Sequence, residues 1–235
     1  YPPFFLIIFK YLTMRKKYLI VSFCLIFSYS FSQKEKQNIL FIGVDDMRPL
    51  TNSYGHQQMK TPNIDKLASQ GVQFNQAYTN IAVCGASRAS ILTGVRGSQS
   101  RFVSYYSRAD EDLPDAIDLA KTFKNNGYKT FSIGKIYHHG EDNIENWDFF
   151  RPFQHQKDYK NPKSIVQIKE RDEYHPTNKN QIKTPPFEYA DVDDYAYNDG
   201  RVTKTAIQNL KKLKDSKEPF FMAVGYISTH LPFIQ

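Results

Sequence analysis

Strand-length apolar runs separated by helix-length stretches constrain this chain more than any other feature. Asn38–Val44 (NILFIGV) and Phe220–Tyr226 (FFMAVGY) are apolar at successive positions. That is the pattern of strands buried on both faces of a parallel sheet. Tyr128–Ile133 reads as a third strand, and Val72–Tyr78 is expected to be another. Helices fall between them. Thr61-Pro62 opens one, with Pro at the first helical position, an apolar face of Ile64, Leu67 and Ala68, and Gly71 at its end. Ser87–Thr93 opens a second, closed by Gly94. Pro114 begins a third, running through Leu119, Ala120 and Phe123 to Asn126-Gly127. Asp199–Lys214 places Val202, Ala206, Leu210 and Leu213 on one stripe. Strands alternating with helices predict an α/β fold with a mainly parallel central sheet flanked by helices. Ligand sites in such sheets lie beyond the carboxyl ends of the strands. Residues 151–198 are polar and rich in Lys and Tyr, and read as a long surface excursion. Its Tyr-rich stretch, 187–197, could stack on sugar faces.

The net charge is +7, which invites a nucleic-acid or anionic-polymer partner. Its distribution argues otherwise. Lys10, Arg15, Lys16 and Lys17 lie in residues 1–32, which hold no acid, so only three net charges remain for the rest. No nucleic-acid motif accompanies them, and no nucleic-acid partner is expected. From Met14, a basic start, an apolar run Tyr18–Phe27 and small polar residues read as a signal peptide over 14–32. The run is shorter than the roughly 20 residues of a membrane span. Contact with the membrane is therefore expected only through this leader, and the destination is periplasmic or extracellular. Residues 1–13 are expected to be upstream translated sequence. Of the two cysteines, Cys24 sits in the leader. Cys84 is then left as a lone thiol in an oxidising compartment, which demands a reason.

Two places carry candidate chemistry. Asp45 and Asp46 follow the first strand directly. Adjacent carboxylates repel unless a cation lies between them, and a hard divalent ion held by oxygens would resolve the conflict. A solvated turn is the plainer alternative. Cys84-Gly85-Ala86-Ser87-Arg88 is the second. The thiol there could be a nucleophile activated by a helix start and Arg88, a metal thiolate, or an inert buried group.

The segment Cys84-Gly85-Ala86-Ser87-Arg88, followed by Leu92-Thr93-Gly94, resembles the signature of the sulfatase family. Further pieces follow the family order. They are Val44-Asp45-Asp46, then Thr61-Pro62-Asn63 through Ala68, Asn126-Gly127-Tyr128, Gly134-Lys135, and Gly225-Tyr226 leading to Thr229-His230-Leu231-Pro232-Phe233. Asp45-Asp46-Met47-Arg48-Pro49 and Gly134-Lys135-Ile136-Tyr137-His138 look most like the iduronate-2-sulfatase branch. The likeness spans about residues 38–235, and 33–235 would be the N-terminal part of a catalytic domain of alkaline-phosphatase-like fold.

The resemblance implies a sulfuric ester hydrolase acting on a sulfated saccharide. A separate maturation enzyme would oxidise Cys84 to formylglycine, which accounts for the lone thiol. The aldehyde hydrate would be the nucleophile, and its second hydroxyl would let sulfate leave and the aldehyde return. Arg88 matches the residue that hydrogen-bonds the hydrate. Asp45 and Asp46, with the modified Cys84, match ligands of a divalent cation, usually calcium. Lys135 and His138 match a basic pair, and His230 a histidine that contacts sulfate or the leaving oxygen; His139 is taken as structural. The family continues beyond the equivalent of Gln235 with further cation ligands, so these 235 residues alone are expected to be inactive. Ser228-Thr229 departs from the Lys-Pro often found before the histidine, which weakens the substrate assignment. Two other readings stay open: a phosphomonoester or phosphonate hydrolase of the same superfamily, and a non-catalytic protein holding a sulfated glycan.

Overall fold

The computed structural model describes residues 36–153, 158–174 and 185–234. The expected leader and upstream segment lie outside them. The fold belongs to the unit Asn38–Gln235. In chain order it contains β1 (Ile39–Val44), α1 (Pro62–Gln70), α2 (Cys84–Thr93), α3 (Ala109–Asp112), α4 (Leu119–Asn125), β2 (Lys129–Gly134), β3 (Phe149–Pro152), α5 (Pro162–Tyr174), β4 (Phe187–Glu188), α6 (Asn198–Leu213), β5 (Phe220–Tyr226) and β6 (Phe233–Ile234).

Four strands form a parallel sheet in the order β1-β5-β2-β3. β4 and β6 make a separate parallel pair. β5 is central, and its residues alternate between two cores. Phe221 and Ala223 face one built with Ala86, Ala89, Leu92, Ala120 and Trp147. Phe220, Met222 and Val224 face one built with Phe131, Ile133, Val202, Ala206 and Leu213. A strand covered on both faces has no polar side to show, which explains the unbroken run FFMAVGY. The α6 stripe that covers the second face is the predicted one, and the α/β architecture stands as expected.

Five local expectations change. β1, expected to be buried on both faces, lies at the edge of the described sheet with Leu40 and Ile42 exposed, because only β5 pairs with it. Val72–Tyr78 forms no strand; Val72, Phe74 and Tyr78 are exposed in irregular chain, without a ladder to join. The helix expected from Pro114 begins at Leu119, because the Asp118 carboxylate accepts the Lys121 amide and caps it there. The helix expected at Ser87 begins at Cys84, so the thiol is its first residue. Residues 151–198, expected as a surface excursion, carry α5 and β4 and bury Tyr159 and Tyr197.

Gly134 ends β2 at φ +83°, a conformation that L side chains rarely adopt. A Cβ there would lie 2.2 Å from the carbonyl oxygen of Gly225, its partner on β5. The two strands therefore meet glycine against glycine where β2 ends, and the chain turns sharply into Lys135.

Candidate active site

The carboxyl ends of β1, β2 and β5 open onto one place. Asp45 follows β1, Lys135 follows β2, and Ile227–His230 follow β5. The Asp45 amide bonds the Tyr226 carbonyl at 3.0 Å, which ties the β1 and β5 exits together. Thr229 donates its hydroxyl to the Asp45 carbonyl.

Asp45 is buried and bears two cations. Lys135 Nζ bonds its Oδ2, and Arg88 Nη2 bonds Oδ1 at 2.9 Å. Burial pushes the Asp45 carboxyl up, but Arg88 and Lys135 together outweigh it and hold the group below its ordinary range. Arg88 Nη1 reaches across to the carbonyls of Lys135, at 2.5 Å, and Ile136, at 2.8 Å. The guanidinium thus links the β1 exit to the β2 exit, which a planar fork of donors does better than an ammonium.

Cys84 is a half-buried free thiol. Together with Asp45, Asp46, Ser87 and Arg88 it lines a cleft of about 320 Å³ between β1 and α2. Gly85 admits the chain of another segment: a Cβ there would lie 2.3 Å from the Tyr105 carbonyl oxygen. Asp46 stands at φ +53°, its side chain turned outward, with Oδ2 at 3.7 Å from His230 Nε2. His138 Nδ1 is buried and makes no hydrogen bond among the described residues. Burial, then the charge of Lys135, with His139 and Arg88 adding, pulls the His138 imidazole down to about 4 against the opposing pull of Asp45. The lowered value keeps the ring neutral and weakens it as a proton acceptor.

The structure therefore joins Asp45, Arg88 and Lys135 in one hydrogen-bonded cluster. It places Cys84 and Asp46 on the same cleft, His230 beside Asp46, and His138 within reach of the cluster's charges. Among the described residues, no group of three or more His, Cys, Asp and Glu side chains is placed to hold a metal. The hard oxygens of Asp45 and Asp46 suit calcium chemistry, yet they make only part of the about six to eight ligands it takes.

Three residues that sequence reasoning did not single out build this site from behind. The Asp199 carboxylate, near the start of α6, accepts the amides of Ile227 at 2.9 Å and Ser228 at 2.8 Å, and so fixes the turn that carries Thr229 and His230. Asp118 and Tyr137 hydrogen-bond to each other behind the Lys135–His138 turn. An acid at a helix start is too common to signal such a role.

The structure is thus an α/β fold whose parallel sheet carries a cationic cluster and a helix-start cysteine at its carboxyl edge. The family model described as Sulfatase matches residues 37–234, and the chain belongs to that family. It is 36% identical over 208 residues to iduronate 2-sulfatase of Mus musculus and 35% identical over 208 residues to that of Homo sapiens. Each match covers 86% of this chain and 36% of the relative, so the chain spans about a third of those proteins. Among solved structures, the phosphonate monoester hydrolase of Agrobacterium radiobacter superposes with a TM-score of 0.58 at 19% identity, over 83% of this chain and 41% of that one. A 2-O GAG sulfatase superposes with a TM-score of 0.54 at 21% identity, over 82% of this chain and 35% of that one. These likenesses show the fold.

Proposed function

We propose that this chain carries the nucleophile-bearing part of a sulfuric ester hydrolase that removes sulfate from a sulfated carbohydrate, in the manner of iduronate 2-sulfatase. The observation that carries the reading is the Asp45–Arg88–Lys135 cluster set beside Cys84 at the start of α2. A sulfate ester gathers negative charge on its oxygens as the bond breaks, and preorganised cations stabilise that charge. Lys135 and Arg88 supply such cations in a buried setting. Cys84, once oxidised to formylglycine by a maturation enzyme, would provide the attacking oxygen. Asp45 and Asp46 would hold part of a calcium shell, whose chemistry is Lewis-acid polarisation of the sulfate oxygens. His138, a neutral imidazole here, would be the acid–base group of the site, a role that needs the bound ester's negative charge to offset the burial that weakens it. His230 stands at the Asp46 side of the site, where it could contact sulfate or the leaving oxygen.

The leader over 14–32 supports export to the periplasm or cell exterior, with the leader as the membrane contact. Among the described residues, no helix is long and apolar enough to cross a membrane.

A phosphonate monoester hydrolase is the second reading, favoured by the TM-score of 0.58 to such an enzyme. One experiment separates the two. The full-length protein is co-expressed with a maturation enzyme, and the tryptic peptide around Cys84 is weighed for conversion to formylglycine. Rates are then measured on matched sulfate and phosphonate esters. Conversion with faster sulfate turnover supports the reading; unmodified Cys84, or a preference for phosphonate, overturns it.

A further inference from the structure

The turn after β2 does two jobs at once. Its backbone carbonyls at Lys135 and Ile136 hold Arg88, its Lys135 side chain pairs with Asp45, and its His138 lies near enough to feel the cluster's charges. Such a turn has little regular structure to keep it in place, so something else must fix it. Tyr137, in its middle, points the other way, into the first core, and is buried. Its hydroxyl donates to Asp118 Oδ2 at 2.8 Å and receives the Asn143 amide at 3.2 Å. Asn143 closes the same turn at φ +51°. Burial, then the Asp118 charge, pushes the Tyr137 phenol up, so the hydroxyl keeps its proton and stays a donor.

Asp118 is more than a helix cap. Its Oδ1 takes the Lys121 amide at 2.7 Å, and a serine would satisfy that role. A carboxylate that is only 1% exposed is costly unless both oxygens are engaged. The second oxygen is the one that reaches Tyr137.

We propose that Tyr137 and Asp118 form a positioning pair that locks the Lys135–His138 turn against α4, so that Lys135, His138 and the Arg88-binding carbonyls meet the ester in register. The inference rests on the proposed esterase function. Neither residue touches the reacting atoms; both act through the turn. Misplacing catalytic groups by a fraction of an ångström lowers turnover more than binding.

The test uses the full-length, matured protein with Tyr137→Phe, Asp118→Ser and the double variant. Phe keeps the buried ring and loses only the hydroxyl; Ser keeps the helix cap and cannot reach the ring. Steady-state kinetics on an aryl sulfate and on a matched phosphonate ester are read with thermal midpoints. Each single variant is expected to lose about tenfold in kcat with KM within about twofold, and the double variant to be no worse than either, because both break one link. A kcat within about twofold of wild type, or losses that multiply in the double variant, overturns the pair. If wild type turns over the phosphonate and not the sulfate, the sulfatase reading fails, and the same ratios still judge the pair. If wild type turns over neither, both are overturned.

Discussion

Asp45 and Lys135 lie 90 residues apart in sequence and form a buried ion pair at the mouths of two strands separated by β5. The pair joins the β1 exit to the β2 exit, with Arg88 as a second cation on the same carboxylate. Removing one partner of a buried pair leaves the other uncompensated, at a cost of about 3–5 kcal/mol. Here Arg88 still neutralises Asp45 when Lys135 is lost, which softens that cost. Lys135→Ala is therefore expected to lower stability by about 2–3 kcal/mol in a denaturant titration. It is also expected to lower kcat on an aryl sulfate by about a hundredfold or more, since it deletes a preorganised charge. A variant with near-normal kcat would show that Lys135 serves only the fold.

Cys84 is the first residue of α2 and faces the cleft with Asp45 and Arg88. In the proposed chemistry the hydrate's second hydroxyl expels sulfate. Cys84→Ser supplies one hydroxyl and cannot be oxidised by that route. It is expected to release about one equivalent of alcohol per protein and then stop, with sulfate left on Ser. Intact-mass analysis after mixing with an aryl sulfate checks this. Continuous turnover would rule out the two-hydroxyl logic.

Asp199 holds the other side of the site. Its carboxylate accepts the Ile227 and Ser228 amides, and the turn so fixed places His230 Nε2 at 3.7 Å from Asp46. Asp199→Ala strands both amides, and hydrogen bonds to a charged group contribute about 1.5–3 kcal/mol each. A stability loss of about 2–4 kcal/mol is expected, together with faster amide exchange confined to residues 227–230. Both amides bond Oδ2, so Asp199→Asn can keep them as neutral, weaker bonds and is expected to lose about half as much. Equal losses in both variants would assign the effect to charge at the helix start.

The residues that could be read from sequence are those whose signal is local. FFMAVGY announces a strand buried on both sides, and Val202, Ala206, Leu210 and Leu213 announce a helix face. Cys84 and Arg88 stand in a compact motif, four residues apart on one helix. What escaped depends on partners far along the chain. Phe149–Pro152 is four residues containing Arg and Pro, a weak strand signal until β2 supplies the ladder. Val72–Tyr78 has strand-like apolar spacing, but its side chains are exposed and no ladder forms. Asp118 and Tyr137 are 19 residues apart, and Asp199 meets Ile227 28 residues on. Nothing at those positions alone distinguishes them from an ordinary cap, core aromatic or surface acid.

Asp142 gives a pH-dependent handle on the same turn. It is buried, and its oxygens accept the amides of Ala109 at 2.9 Å and Asp110 at 3.1 Å, pinning α3 to the end of the Lys135–Asn143 turn. Burial pushes its carboxyl up to about 6 against the opposing pull of those two amides. The folded-state value lies above the ordinary 3.8, so the folded protein binds this proton more tightly than the unfolded chain. The stabilisation is complete below about pH 4 and is lost as pH rises through about 6. Asp45, Asp110 and Asp148 are shifted downward and contribute with the opposite sign, so the wild-type curve alone cannot isolate Asp142. The difference between wild type and Asp142→Asn does. Asn carries no titrating proton and mimics the protonated acid in having one carbonyl acceptor. The thermal midpoint of Asp142→Asn relative to wild type is expected to rise by about 4 °C between pH 4 and pH 7, with most of the change between about pH 4 and pH 6 and a plateau above it. A difference that stays flat across that window would show that the Asp142 carboxyl titrates as an ordinary surface acid.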